Sequence, residues 1–312
     1  MKLSSAINFT ITIVCCFSLV SCGQNNNQSA TSKSMLVLAE KQDSSVTEEP
    51  EIVEIEYETF SNAESQNRIA DKIANGKPLV VHVMVPLCDN EHQGIVPVNK
   101  TLGDGFNPRT NLYWGALYGI KTHFKKLNSW KLLSEQQKLS ESIVERVVFY
   151  RELPNNAKVY LVADAYRGDK MKACLTDFFK ATSGKSSENI IVNEVELGIR
   201  SNADLLVMNG HNGLMDVDVD YFLSEDDKVR EVGLIGCVTA SYFREYLLRS
   251  KAFPVLSTNN LMAPEAYVLN GFVEAWATQK SDSQIHASVA QAYHEYQKCG
   301  VKGAGRLFRV GW

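Results

Sequence analysis

Residues 203–219 read ADLLVMNGHNGLMDVDV, and residues 231–240 read EVGLIGCVTA. Each stretch is a short apolar run that ends at a reactive side chain beside glycine, His211 in the first and Cys237 in the second. Short apolar runs bounded by turn residues are typical of strands that are buried on both faces of a parallel sheet. We therefore expect two consecutive strands, and if they are neighbours, their carboxyl ends bring His211 and Cys237 to one edge of the sheet.

The same alternation continues along the chain from residue 77 to residue 278. Runs rich in Val, Ile and Leu alternate with segments in which apolar residues recur at helical spacing. This pattern predicts an α/β fold, a three-layer αβα sandwich with a mostly parallel sheet. Strands are predicted at 77–87, 157–165, 203–209, 232–236 and 253–257, and helices at 111–133, 170–181, 239–250 and 263–278.

His211 and Cys237 are a candidate catalytic pair. A thiol needs a base or an electropositive site to become a thiolate at neutral pH, and an imidazole can be that base. The turn residues beside them, Asn212, Gly213 and Gly236, would let a substrate carbonyl approach backbone N–H groups that stabilise an oxyanion. The alternative is structural, with His211 as a polar loop residue and Cys237 as a small buried side chain.

The blocks LLVMNGHNG and VGLIGC resemble the signature of the caspase, gingipain, legumain and clostripain superfamily of cysteine peptidases, clan CD. In that signature one apolar strand ends in His-Gly, and a later one ends in a small residue and the catalytic Cys. The resemblance covers the strand and helix order from residue 77 to 278 and implies a caspase-haemoglobinase-like fold. It implies His211 as general base or acid and Cys237 as nucleophile, although this chain has Asn212 where the family has glycine.

The resemblance also implies features around the pair. Residues 213–223 look like the small hairpin that follows the His, and residues 257–276 resemble the segment that shapes substrate specificity, which here contains Asn259 and Asn260. In the resembled fold, the end of the first strand borders the pocket for the residue before the cut. The expected substrate pocket therefore comprises Cys88, Asp89, Asn90, Asp164, Asn259 and Asn260.

The segment 86–115 is long, rich in Gly, Asn and Pro, and follows the first predicted strand directly. Long ordered loops at strand ends are often functional. Acidic groups here would favour a basic substrate side chain. Two alternatives remain for Cys88 and His92, which could be metal ligands or a second nucleophile and base, although we expect no metal or other cofactor.

Asp216, Asp218 and Asp220 alternate, which fits a calcium site or, better, a solvated hairpin face.

The first residues of the sequence predict where the protein is located. Lys2 precedes the apolar segment ITIVCCFSLV, which is too short to span a membrane, and Leu19–Cys22 resembles a bacterial lipobox whose Cys becomes lipidated. An ordinary cleavable signal is the alternative. We expect a signal peptide at 1–21, a flexible tether at 22–50 after lipidated Cys22, and one α/β domain at 51–312, with a strand at 52–60. Gly23 after the anchor favours the outer membrane of a Gram-negative cell envelope.

Composition and net charge indicate which classes of partner the protein binds. With 45% apolar residues and 22% charged residues the chain is an ordinary globular protein, and a net charge of −4 without a basic cluster argues against nucleic acid. Beyond the signal and Cys22, four cysteines remain, which permits two disulfides or free thiols. Two functions therefore stand: a lipid-anchored peptidase that cuts peptides or proteins, and an inactive relative that binds an envelope protein or glycan.

Overall fold

An eight-stranded mixed sheet organises residues 60–312, the part of the chain that the computed structural model describes. The predicted signal peptide, tether, lipidated Cys22 and strand at 52–60 lie outside the described residues, apart from Phe60. The strands are β1 (Pro78–Pro86), β2 (Lys131–Gln137), β3 (Ile143–Glu152), β4 (Lys158–Tyr166), β5 (Ser187–Val192), β6 (Val195–Arg200), β7 (Leu205–Asn209), β8 (Arg230–Ile235), β9 (Ala252–Thr258) and β10 (Phe308–Arg309).

The sheet order is β10-β9-β8-β7-β1-β4-β3-β2, and β5 pairs with β6 in a separate hairpin. The pairs within β4-β1-β7-β8-β9 are parallel, whereas the β2–β3, β3–β4 and β9–β10 pairs are antiparallel. The helices are α1 (Ala63–Ala74), α2 (Ile120–Lys126), α3 (Met171–Thr182), α4 (Thr239–Tyr242), α5 (Arg244–Arg249), α6 (Ala266–Ala277), α7 (Asp282–Gln297) and α8 (Val301–Gly305).

The side chains of the central strands alternate between two separate apolar cores. In β1, for example, Val81 and Val83 pack in the core that also holds α1, α2, α6 and α7, whereas Met84 packs in the core of α3 and α5. The β5–β6 hairpin covers a third cluster, against the β1–β4–β3 part of the sheet. Because helices cover both faces, the predicted α/β architecture with a mostly parallel sheet in the middle is confirmed.

The five predicted strands are confirmed as β1, β4, β7, β8 and β9, and most predicted helices are found near their expected places. The predicted helix at 111–133 is wrong, because only Ile120–Lys126 is helical and Lys131–Gln137 is an edge strand paired with β3. Before residue 120 the backbone passes close to itself at two glycines: an added Cβ at Gly115 or Gly119 would lie 2.2 Å or 2.5 Å from other backbone atoms. The chain is therefore folded back on itself before residue 120.

The hairpin expected at 213–223 is also absent. Gly213–Met215 forms one 3-10 turn, and residues 216–229 contain no strand. The alternating Asp and Val residues suggested a strand, but their side chains have separate partners: Asp216 bonds His211, while Val219 is buried. Within residues 60–312, no helix has the length and apolar character that crossing a membrane requires.

Candidate active site

The pairing of β7 with β8 brings His211 and Cys237 to the same edge of the sheet. These strands are parallel neighbours, and Asn209 lies opposite Ile235 in their register. His211 and Cys237 each follow that pair by two residues, so both leave the sheet at the same level. A direct contact joins the two turns, since the Asn212 side-chain amide donates to the Cys237 carbonyl at 2.8 Å. The predicted adjacency of the two strand ends is therefore confirmed.

A carboxylate orients the imidazole of His211. Its Nε2 lies 2.7 Å from Oδ2 of Asp216, and the same carboxylate oxygen accepts a hydrogen bond from the Gly94 backbone N–H at 3.0 Å. Because a carboxylate only accepts, neutral His211 carries its proton on Nε2, and Nδ1 holds the free lone pair. Nδ1 makes no hydrogen bond within the described part of the chain. His211 is thus held in the tautomer of a general base.

The Cys237 thiol is half-buried and is not part of a disulfide. Its Sγ lies 3.5 Å from both the N and the O of Met262, in the loop that follows β9. It makes no hydrogen bond to His211. Catalytic hydrogen bonds in a substrate-free site are often long and tighten only with substrate.

The turn after Cys237 is tight. Val238 has φ of 51°, in the left-handed region that β-branched residues rarely adopt, and α4 begins directly after it. The Thr239 and Thr258 hydroxyls bond each other at 2.8 Å, and Val238 N–H donates to Asn260 O at 3.1 Å. Backbone held in such conformations costs about 1–3 kcal/mol and clusters at functional sites. The strand-to-helix turn therefore presents Cys237 in one fixed position.

Gly210 and Gly236 allow the two turns to approach closely. Gly210 has φ of 151°, and a Cβ on Gly236 would lie 2.7 Å from the Gly210 carbonyl oxygen. That same Cβ position is 3.8 Å from the Asn212 backbone nitrogen. Within residues 60–312, the N–H groups of Asn212 and Cys237 donate no hydrogen bond. Two backbone N–H groups without an acceptor thus belong to the two turns, and such groups are what an oxyanion site uses.

Asn212 fits its position without the glycine of the resembled family. Its φ of −76° is ordinary for any residue, and its Oδ1 accepts from the Leu214 N–H at 3.2 Å. Gly213 is the position with a steric requirement, because an added Cβ would lie 2.3 Å from the Met171 side chain on α3. Through its side chain, Asn212 thus links the turn that carries His211 to the turn that carries Cys237.

Cys88 lies at the carboxyl end of β1, as predicted, but it is fully buried. Burial raises the pKa of its thiol to about 11, although a hydrogen bond with Tyr113 lowers it in part. Such a thiol is almost entirely protonated at neutral pH, which argues against a nucleophilic role. Among the described residues, no group of three or more His, Cys, Asp or Glu side chains is arranged to hold a metal ion.

Asp89 and Asn90 follow β1, and both side chains bond within their own loop. The Asp89 carboxylate accepts from the Glu91 and His92 N–H groups, and its other oxygen lies 2.9 Å from Nδ1 of His92. Asn90 exchanges two hydrogen bonds with the Val98 backbone. These contacts fold the loop, and they occupy the groups that were expected to line the pocket.

The remaining expected pocket residues lie in two places. Asp164 lies within β4 and not at its end, and its side chain pairs with Arg146 and His82. Asn259 and Asn260 directly follow β9 and are exposed. Asn260 O accepts from the Val238 N–H in the Cys237 turn, whereas the Asn259 N–H donates to Leu307 O. Of these three residues, only Asn260 contacts the Cys237 turn.

Several residues near the thiol were not anticipated as site residues. Asn209 is the first polar residue after an apolar run, a signal that could have been noticed. Asp216 was noticed, but as a hairpin or calcium residue, because its contact with His211 depends on the 3-10 turn. Tyr113 comes from a loop whose course no local pattern predicts. These unanticipated residues are Asn209, Asp216, Tyr113, Met262 and Tyr293.

Comparison with family models, with curated proteins and with solved structures finds no match for this chain.

Proposed function

We propose that this protein is a cysteine peptidase with a caspase-haemoglobinase-like domain, in which Cys237 is the nucleophile and His211 is the general base. One observation supports this most strongly. The register of β7 and β8 sets the His211 and Cys237 turns level at one sheet edge, and a carboxylate holds His211 in the tautomer that can take a proton. Reactive groups placed together by separate strands are characteristic of a catalytic constellation.

The proposed reaction uses groups that lie close together at this edge. His211 Nδ1 takes the thiol proton, and the Cys237 thiolate attacks the peptide carbonyl carbon. The negative charge that develops on the carbonyl oxygen is stabilised by the N–H groups of Asn212 and Cys237. The imidazolium then gives its proton to the leaving amine, which leaves a thioester. Water, deprotonated by His211, hydrolyses the thioester and restores the thiol.

Exposed apolar side chains around this edge fit a peptide substrate. Val96, Phe106, Leu117, Met215 and Leu261 are all at least 43% exposed, and they belong to the loops that follow β1, β7 and β9. Exposed apolar groups gathered near one edge are typical of a surface that binds a ligand. A peptide lying across these loops would bury several of them.

We further propose that the protein is a lipoprotein of the bacterial cell envelope, tethered through Cys22 and facing peptide or protein substrates there. The Leu19–Cys22 motif and the polar segment behind it support this. A Cys22→Ser variant should leave the detergent phase and the membrane fraction. Full retention in the membrane would contradict the lipid anchor.

The test of the enzyme is turnover of a fluorogenic peptide library by the wild type and by variants. We expect Cys237→Ala to abolish cleavage, because it removes the proposed acyl-enzyme nucleophile. Cys299→Ala is the matched control, since Cys299 is an exposed free thiol and should be dispensable. Cleavage by Cys237→Ala at the wild-type rate would show that the nucleophile is misassigned.

The alternative is an inactive relative that binds an envelope protein or glycan. It is favoured by one observation: the Cys237 thiol bonds the Met262 backbone and makes no hydrogen bond with His211. If no peptide or ester is cleaved while Cys237 remains free, and Asn212→Gly does not restore cleavage, this binding function replaces the peptidase.

A further inference from the structure

A cavity of about 660 Å³ lies between α3, the turn that joins β2 to β3, and the β5–β6 hairpin. On α3 it is lined by Ala173, Thr176 and Asp177, whereas Met171 on the same helix packs against Gly213 in the His211 turn. The cavity is therefore separate from the candidate active site. Its volume falls within the range of about 300–1,000 Å³ that is typical of small-molecule sites.

Arg200 is held in a fixed position at the wall of this cavity. Its backbone has φ of 56°, a left-handed conformation that residues other than glycine rarely adopt, and its N–H donates to Nδ1 of buried His82 at 3.2 Å. Its side-chain Nε donates to Oε2 of Glu188 at 3.1 Å, and Nη1 lies 3.3 Å from Oδ2 of Asp177. Strained backbone that its surroundings hold in place clusters at functional sites.

Several polar atoms of the lining have unused hydrogen-bonding capacity. Within residues 60–312, no hydrogen-bond partner is found for Nη2 of Arg200, Oδ1 of Asp177, Oγ1 of Thr176 or Oγ of Ser142. All four residues are half-buried, yet the single buried side-chain N or O atom without a partner in that range is Oδ1 of Asn209. The unused atoms are therefore accessible, and the cavity is the space that their four residues line together.

The cavity carries both signs of charge in balance. Four cations and three carboxylates line it, and the ion-pair partners of these groups add Arg167, Asp164 and Glu141. Five positive charges thus accompany five negative ones. A ligand with one charge would disturb this balance, whereas a ligand that carries a positive and a negative group preserves it.

The unused charged atoms form a matched pair. Nη2 of Arg200 is a donor and Oδ1 of Asp177 is an acceptor, and the two side chains are already in contact through Nη1 and Oδ2. A guanidinium is suited to a carboxylate, and a carboxylate accepts hydrogen bonds from an ammonium group. The hydroxyls of Ser142 and Thr176 can donate or accept beside them. The rest of the lining includes an apolar wall formed by Leu139, Ile143 and Ala173.

We infer that this cavity binds an amino-acid zwitterion with an apolar side chain, supplied as a free amino acid or as a short peptide. The ligand carboxylate bonds Arg200, the ammonium group bonds Asp177, and the side chain packs on the apolar wall. Both charged groups of the wall then gain the partners that they lack within the chain. This site goes beyond the proposed peptidase function and does not depend on it.

The test is isothermal titration calorimetry of the full chain with L-leucine and with leucyl-leucine. The matched probes are 4-methylpentanoate, which lacks the ammonium group of leucine, and 3-methylbutylamine, which lacks its carboxylate. We expect each to bind about 10–100-fold more weakly than the tighter zwitterion, because each leaves one charged group of the wall without a partner. Tighter binding of L-leucine would identify a free amino acid, and tighter binding of leucyl-leucine a short peptide. Equal affinities for zwitterions and single-charge probes, or no binding of either zwitterion at millimolar concentration, would overturn the inference.

Variants locate the site. Asp177→Asn should weaken binding of the zwitterions about 10–100-fold and leave binding of 4-methylpentanoate unchanged, because it removes the partner of the ammonium group alone. Glu274→Gln is the matched control, since Glu274 is also a partly exposed carboxylate paired with a mostly buried arginine, Arg151, and lies outside the cavity. Equal losses for all ligands in Asp177→Asn, or the same loss in Glu274→Gln, would contradict the assignment.

A second variant keeps the test independent of the Asp177 ion pair. Ala173→Phe places a ring in the cavity and leaves Arg200 and Asp177 in place, so it should abolish binding of both zwitterions. Urea unfolding of the same samples shows whether each variant is folded. Wild-type affinity in folded Ala173→Phe would place the ligand elsewhere and overturn the inference.

Discussion

Two histidine–carboxylate pairs differ in burial and in hydrogen bonding: one lies within the sheet, and the other lies just beyond the end of β7. The His82–Asp164 pair is fully buried, at 3.1 Å, and the His211–Asp216 pair is at the sheet edge, at 2.7 Å, with Asp216 18% exposed. In the buried pair both ring nitrogens are used, since Nδ1 of His82 accepts from the Arg200 N–H. In the edge pair, Nδ1 of His211 is unused within the described residues.

The carboxylates differ in the same way. Asp164 accepts two hydrogen bonds from the Arg146 guanidinium, at 2.6 Å and 2.8 Å, so its charge is compensated inside the protein. Among the described residues, Asp216 bonds only His211 and the Gly94 backbone N–H. A histidine with both nitrogens bonded has a structural role, whereas one with a free nitrogen can accept a proton from a thiol that comes within reach. Under the proposed function, the first pair stabilises the fold and the second takes part in catalysis.

The largest expected effect is on activity, at the edge pair. His211→Ala should lower kcat/KM by about 10²–10⁴-fold, because the thiol loses its base. The free energy of unfolding of the His211→Ala variant should differ from that of wild type by less than about 1 kcal/mol, since water can solvate the partly exposed Asp216. Peptide turnover and urea unfolding of the same sample measure both. A loss of stability without a loss of turnover per folded molecule would reverse the assignment of the two pairs.

The next effect is on stability, at the buried pair. Asp164→Asn should lower the free energy of unfolding by about 3 kcal/mol, because it leaves the buried Arg146 charge poorly compensated. Turnover per folded molecule should be unchanged. Asp169→Asn, which removes a partly exposed partner of Arg167, is the matched control and should cost at most about 1 kcal/mol. Equal effects of the two variants in urea unfolding would contradict a structural role for the buried pair.

Lowering the pH should reduce the stabilisation that the buried His82–Asp164 pair provides. Burial alone would raise the pKa of Asp164, but the Arg146 and His82 donors lower it to about 2, below its ordinary 3.8. The folded state therefore binds this proton less readily than the unfolded state. The stabilisation should be complete above about pH 4 and decline as the pH falls towards 2. Unfolding measured across this window should show a smaller pH slope in Asp164→Asn than in wild type.

The smallest expected effect concerns orientation at the edge. Asp216→Asn keeps an acceptor for Nε2 but removes the charge that stabilises the imidazolium, so kcat should fall by roughly 10²-fold, the scale of a misplaced or less basic catalytic group. The acidic limb of the pH–rate profile should also move to lower pH, a shift that a merely structural residue would not produce. An unchanged profile would remove Asp216 from the mechanism.

The contrast also explains what the sequence could predict. The strands that carry both pairs were predictable, because β1, β4, β7 and β8 are continuous apolar runs with clear ends. His211 and Cys237 were found because each interrupts such a run beside glycine. The hydrogen-bond partners of the two histidines were not predictable. Asp164 was expected at the pocket, but it lies within β4, where it bonds His82 and Arg146.

Loop residues were the least predictable part of the site. Asp216 reaches His211 only because the chain makes a 3-10 turn where alternating Asp and Val residues predicted a hairpin. Met262 and Tyr113 belong to loops 259–265 and 87–119, whose paths are set by contacts distant in sequence, such as Ala266 N–H to Tyr118 O. Local periodicity carries no information about such contacts.

The most direct test of the central claim is the rate at which iodoacetamide modifies each cysteine at pH 7, followed by peptide mapping. An activated thiolate reacts faster than a thiol with an ordinary pKa of about 8.5. We expect Cys237 to react before exposed Cys299 and well before Cys88 and Cys174, whose pKa values are raised by burial. The Cys237 rate should fall to that of Cys299 in His211→Ala. If Cys237 reacts no faster than Cys299, or its rate is the same without His211, the His211–Cys237 dyad is contradicted.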